Sequence, residues 1–397
     1  MSSSGLISAT VTASAPADNA PTTKHRGHHW FQYGEALPIP SFILLFNTDN
    51  PNDTIELPLK SGYAYDFTVD WGDGEIDHIT DWAQPEKIHT YVSAGQHTVT
   101  IDGRLEAWQY PQTSQAKTEY AIRIEAEGGA PAPQSILHPE LLEVQQWGVV
   151  GFRYLAGAFR GCTNLTITAT DSPDLRTVTT LSFMFHDADV TGNFADWDVS
   201  TITSFTSMFF NNPNFNSNIS QWNVGSGMFF VDMLAKCPMF DGNLSTWNMS
   251  SATRLDLMFW QSGNFSAVGG IGLWDVSNVT NMYGTFLLAS SFDSDVSDWQ
   301  TGNVTNFNGV FYGATLFDSD VSLWDVSNGT IFTQMFKDAT SFSTANYDLL
   351  LNGWSQQAVN SGMSIEFAST YTIATSQVSR DFLTVNKGWT ITDNGGV

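Results

Sequence analysis

Six tryptophans constrain this chain more than any other feature. Trp197, Trp222, Trp247, Trp274, Trp299 and Trp324 follow one another at intervals of 25, 25, 27, 25 and 25 residues. A unit that short cannot bury its apolar side alone, so a sustained period of this size predicts a stack of turns, a solenoid. Other columns keep step. Phe185, Phe209, Leu234, Phe259, Phe286, Phe311 and Phe336 each follow a Met or, at Thr285 and Val310, its replacement. Three residues later stands a small residue: Ala188, Asn212, Cys237, Ser262, Ala289, Ala314 or Ala339. Phe215, Phe240, Phe292 and Phe317 stand seven residues before a Trp, whereas Phe265 is displaced because 267–272 carries a two-residue insertion. An insertion absorbed without loss of phase belongs in a loop. Each unit is expected to place a short strand around its Trp, as at 294–299, and a turn or helical half-turn through the Met-Phe pair.

With 42% hydrophobic residues, 397 residues suffice for a substantial core. Lys and Arg number 15 against 40 Asp and Glu, a formal charge of -25. That excess argues against nucleic acid or anionic lipid as partner, since both are gripped by clustered cations. Cys162 and Cys237 both fall in the small-residue column and read as core side chains. Three strand spacings would separate them by about 14 Å, beyond the roughly 7 Å a disulfide spans.

Residues 1–40 read as an extended arm. They show no sorting signal, and no stretch of the chain approaches a membrane span. Ser, Thr, Ala and Pro dominate up to Thr23, a composition that orders only against a neighbour. At the arm's end His28, His29, Trp30 and Phe31 read as a packed aromatic anchor for assembly, with no third ligand nearby to suggest a metal. From Phe42 the pattern turns to strands at 42–46, 65–69, 97–101 and 121–124, separated by turn residues as in a sandwich. Asp70, Asp73, Glu75 and Asp77 lack the full calcium-loop spacing and read as hairpin carboxylates.

Val69-Asp70-Trp71-Gly72-Asp73-Gly74, with His89-Thr90-Tyr91 and 95–101 after it, resembles the polycystic-kidney-disease-type (PKD) domain. The resemblance implies an immunoglobulin-like β-sandwich over 41–125, followed by a linker at 126–140. The segment 141–165 and the units after it resemble BspA-type leucine-rich repeats, whose 25-residue variant carries a Trp, then Asn-Val-Thr-Asn-Met, then Met-Phe. Residues 274–282 and 324–328 match it nearly residue for residue, and 225–227 and 301–302 depart from it. A mainly β protein is therefore expected: a sandwich, a leucine-rich-repeat-type solenoid over 141–345 with short strands and helical turns, and a C-terminal cap over 346–397.

Motifs for nucleotide, zinc-protease, serine-hydrolase and dithiol chemistry do not occur in the sequence. The pairs Asp293/Asp295 and Asp318/Asp320 recur with the period and read as a solvated edge. Asn218, Asn243, Asn278 and Asn303 lie in glycosylation-type triplets that the period itself generates, and they read as turn and ladder residues. We expect no cofactor, no metal and no catalysis. The resemblance implies binding or adhesion at a surface. The expected carrier is a virus particle, as a bacteriophage head fibre, decoration or tail receptor-binding protein, because no export signal is seen; a bacterial cell-surface adhesin is the alternative. Expected partners are assembly subunits through the arm and a host-surface protein or glycan, with no nucleic acid and no membrane insertion; homo-oligomers stay open. The variable positions, above all Gly269 and Gly270 in the insertion, are the expected recognition surface.

Overall fold

In the computed structural model, residues 39–110 and 136–397 are described. The expected arm, its anchor His28, His29, Trp30 and Phe31, and the expected strand at 121–124 lie outside those residues. The chain is mainly β. Strands β1 (Phe42–Thr48), β3 (Tyr65–Asp70) and β6 (Gly95–Leu105) form where alternation predicts them, and β1 and β3 bury every second residue. Strands β4 (Ile76–Ile79), β2 (Thr54–Glu56) and β5 (Ile88–Thr90) are too short to announce themselves in the sequence.

One sheet has the order β4-β3-β6-β1-β7-β8-β9. Its second half consists of β7 (Leu141–Gln146), β8 (Thr166–Ile167) and β9 (Thr191–Gly192), which belong to the first turns of the repeats. Antiparallel pairing of β1 with β7 carries the sheet past the position of the expected linker. The β2–β5 pair stands apart from this sheet, and its Ile55 is buried. A single apolar cluster then runs from Phe42 to Trp389. Phe42 itself stacks on Trp147 at 5.9 Å and meets the edge of Phe152 at 5.4 Å.

Beyond β9 the turns stack in register. Parallel bridges join Thr180, Ser204, Phe229, Arg254, Asn281, Asn306 and Ile331, one residue per turn. The ladder therefore lies just ahead of the Met-Phe pair and not around the Trp, as the sequence predicts, and 294–299 forms no strand. Nor is the Met-Phe segment helical. Two residues before and two after each Phe, or Leu234, the backbone is left-handed: Phe183 and Asp187, Ser207 and Asn211, Asp232 and Lys236, Leu257 and Gln261, and so on to Gln334 and Asp338. This turns alternate N–H groups along the stack. Phe183, Phe185 and Asp187 donate to Thr206, Met208 and Phe210 of the next turn at 2.9 Å each. Met184, His186 and Ala188 donate three residues back within their own turn.

Aromatic columns fill the inside. Phe259, Phe286 and Phe311 stack face to face at 5.6 and 5.8 Å, and Trp274, Trp299 and Trp324 at 6.3 and 5.9 Å. Phe265 keeps its column, 6.0 Å from Phe240 and 6.2 Å from Phe292, so its displacement exists only in sequence. In the periodic column, Trp222, Trp247, Trp274, Trp299 and Trp324 each donate the indole Nε1–H to a carbonyl one turn earlier: Phe194, Ile219, Leu244, Ile271 and Val296, at 2.7–3.1 Å. Cys162 and Cys237 are buried free thiols, as their column predicts. Desolvation pushes the Cys237 thiol up to about 12.

The last turns change form without losing the columns. Helix α1 (Thr344–Trp354) puts Trp354 next in line, its Nε1–H 3.1 Å from the Val321 carbonyl. Phe367 stacks on Phe336 at 5.1 Å. Strands β10 (Ser364–Glu366) and β11 (Thr390–Thr392) pair in parallel. Tyr371 makes an isolated parallel bridge to Gly396, and helix α2 (Ile373–Asp381) follows it.

Replacing Trp299 by Phe leaves the Ile271 carbonyl without its donor. Trp197, whose Nε1 finds no partner among the described residues, loses no such bond on the same change. Trp299→Phe is expected to cost about 1–2 kcal/mol more than Trp197→Phe in urea unfolding.

Near β5 and β6, His97 stacks on Tyr91 at 3.6 Å, and its Nε2 is hydrogen-bonded to the Thr48 hydroxyl at 3.0 Å. Burial holds its pKa below the usual histidine value. The unfolded chain therefore takes up a proton near pH 6.5 that the fold resists, and stability falls as pH drops through that region. Asp73 adds to the loss at lower pH: its burial opposes ionisation, but the bond from His89 at 2.8 Å, the Glu75 N–H and the His89 charge together outweigh it and depress the pKa. Urea midpoints should fall between pH 7.5 and 5.5 (on the order of one pH unit around the histidine value), and His97→Gln should flatten that slope.

Candidate functional site

On the Trp side of the stack each turn is closed by side-chain caps. The residue after the Trp accepts from the N–H two residues on: Asp198 from Ser200, Asn248 from Ser250, Asp275 from Ser277 and Asp325 from Ser327, at 3.0–3.1 Å. A second cap stands four residues before the Trp, where Asn218, Asn243, Asp295 and Asp320 hold Ser220, Ser245, Ser297 and Ser322. Asn278 and Asn303 instead donate their amides to the previous turn, at the Ser250 and Ser277 carbonyls, 2.8 and 2.7 Å away. The periodic Asn and Asp residues are thus structural, as read from the sequence. The hairpin carboxylates behave likewise: Asp70 and Asp73 cap Gly72 and Glu75, and Asp77 accepts from the Trp71 indole.

Two caps are missing, and the gaps lie together. Gly270 occupies the position four before Trp274, and Gln300 follows Trp299. At the insertion, Gly269 and Gly270 are left-handed, and the Gly270 N–H closes on the Ala267 carbonyl at 2.8 Å. A Cβ on Gly269 would meet the Asn243 amide at 2.7 Å, whereas one on Gly270 would meet only the Ser294 hydroxyl at 3.9 Å. At the other gap, Thr301 turns inward, fully buried, and its hydroxyl donates to the Asp325 carbonyl at 3.0 Å.

A groove runs between these departures. One part, about 250 Å³, is lined by Ser245, Gly269, Gly270, Leu273 and Asp295; the other, about 590 Å³, by Gln300, Gly302, Asn303, Leu323 and Asp325. Ser297 and Asp298 line both. The structure therefore brings the inserted loop and the 301–302 departure onto one face. The 225–227 departure lies in neither part: a Cβ on Gly227 would strike the Phe230 ring at 2.6 Å, and Ser226 donates to the Ser200 carbonyl at 2.7 Å.

Along the groove, the residues just before Trp274, Trp299 and Trp324 form an outward row of Leu273, Asp298 and Leu323. Leu273 is 92% exposed and Leu323 76% exposed. The sequence reading passed over both leucines, although a signal was present. The same position elsewhere holds Asp196, Gln221 and Thr246, so a Leu there is an apolar residue in a polar column.

Electrostatically the face is one-signed. Between Arg254 and Lys337 the sequence holds no Lys, Arg or His and eight Asp. The hydroxyl and N–H of Ser277 hold the Asp275 carboxyl below the usual carboxylate range, and the N–H and hydroxyl of Ser297 do the same for Asp295. Both shifts favour the anion, the opposite of what a general acid needs. In the pairs flagged by sequence, Asp295 and Asp320 are caps, and Asp318 accepts from the Ser343 N–H and the Asn346 amide of the next turn at 2.8 Å. The chemistry available here is apolar contact and attraction of cations.

A family described as "Mycoplasma protein of unknown function, DUF285" matches the chain twice, over residues 153–269 and 263–379. No curated protein and no solved structure matches it.

Because Gly269 is both left-handed and crowded, Gly269→Val is expected to cost about 2 kcal/mol or more, and Gly270→Ala only the roughly 1 kcal/mol of a left-handed L-residue. Thermal or urea unfolding of the two variants measures the difference.

Proposed function

This chain belongs to the DUF285 family, a BspA-like repeat protein, and on that premise we propose that it is a non-catalytic recognition protein displayed on a surface. The observation that carries the reading is the division of labour between columns and gaps. Nearly every periodic polar side chain is committed to holding a turn, and two of the three departures from the period, the insertion and 301–302, share one exposed groove bearing Leu273 and Leu323. A regular scaffold that brings two irregular positions and two exposed leucines together on one face is suited to binding there.

The finer reading is a virion component, a bacteriophage head fibre, decoration or tail receptor-binding protein that contributes to host attachment. In it, residues 41–125 act as a PKD-like sandwich, 141–345 as a leucine-rich-repeat-type solenoid closed by a cap at 346–397, and the arm at 1–40 as the assembly contact. The second reading, a bacterial cell-surface adhesin, is favoured by the bacterial genus in the family's description. Mass spectrometry of purified virions and of the host cell envelope separates the two. The chain should be found in virions, and its confinement to envelope fractions would establish the adhesin reading instead. Labelled full-length protein should also bind host cells saturably; absence of any cell binding would overturn recognition altogether.

A further inference from the structure

We propose that the groove between the insertion and the 301–302 departure takes a cationic, leucine-compatible segment of a partner protein, with Leu273 and Leu323 as its apolar contacts and Asp298 between them as its charge contact. This rests on the recognition reading above and names the chemistry of what is recognised.

Three observations choose the occupant. First, the apolar contacts are aliphatic and exposed, while the aromatic surface a sugar ring would need is withheld. Trp274, Trp299 and Trp324 are at most 3% exposed, stacked on one another and bonded through their indoles to backbone carbonyls. Flat stacking on Trp is thus closed to a glycan at this face. Second, the row Leu273, Asp298, Leu323 advances one residue per turn, and the rings behind it are 6.3 and 5.9 Å apart. An extended segment laid along the stack presents every second side chain on one face and can meet that line of side chains. Third, the 82 residues between Arg254 and Lys337 carry only negative charge, so complementarity calls for Lys or Arg in the partner and disfavours an acidic one. A second copy of this chain, itself strongly acidic, fits poorly for the same reason.

The test uses the full chain and short synthetic peptides. Isothermal titration should show an alternating lysine–leucine peptide binding, with glutamate–leucine and lysine–serine peptides at least about tenfold weaker. Because both leucines are exposed, Leu273→Ser/Leu323→Ser should unfold at the wild-type temperature yet lose about tenfold in affinity per leucine. Asp298→Asn should weaken binding severalfold at low salt and little at high salt. Equal binding of the acidic peptide, or undiminished binding by the folded double-serine variant, overturns the proposal. So does competition by a neutral oligosaccharide, or a wild-type dimer that the double-serine variant abolishes. If the double-serine variant still binds host cells as wild type does, the groove is the wrong surface while recognition stands; if wild type binds no cells, the broader reading fails first.

Discussion

No turn of this chain can satisfy its own backbone, and everything else follows from how the surplus is disposed of. Roughly 25 residues laid around a small core leave a row of N–H and C=O groups pointing along the stack. The left-handed pair that brackets each Phe, or Leu234, resolves this by aiming alternate N–H groups at the next turn and the rest back into their own. Three turns meet the conformational demand partly or wholly with glycine: Gly157 with Gly161, Gly284, and Gly309 with Gly313. Elsewhere Phe183, Leu257, Lys236 or Gln261 hold the same geometry, at a cost of about 1–2 kcal/mol each that neighbouring turns must offset. From Trp222 to Trp324 the column indoles do for the opposite side what this ladder does for its own: each ties its turn to the one before.

What was legible in the sequence was what repeats. The Trp, Phe and Met columns and the small-residue column holding Cys162 and Cys237 all emerge from period alone, because a stack buries equivalent positions equivalently. The ladder's place is hidden because the apolar Val296 and Trp299 draw the expected strand to the Trp. That segment is held instead by an Asx cap and a tethered indole, while ladder residues such as Asn281 and Asn306 have no β character. The left-handed flips were hidden wherever glycine is absent. Of the site, Gly269 and Gly270 were legible as an interruption, but Leu273 and Leu323 required a comparison of every residue that precedes a Trp.

The junction between the first strands and the repeats was beyond reach for a different reason. Pairing of β1 with β7 joins segments about a hundred residues apart through alternations that many registers would fit equally. In the fold that pairing gives the first turn a finished edge to grow from. The exposed start of a stack, otherwise an invitation to unwanted strand addition, is covered by the chain's own sheet, as its far end is by α1 and the β10–β11 pair.

The parallel ladder also decides how such a body yields to force. Neighbouring turns are joined by bonds that lie along the stack, so a pull on that axis strains one interface at a time, as a zip opens. Each turn released would pay out about 25 residues, roughly 80–90 Å of chain. A tether built this way lengthens in steps under load and recoils when the load is removed.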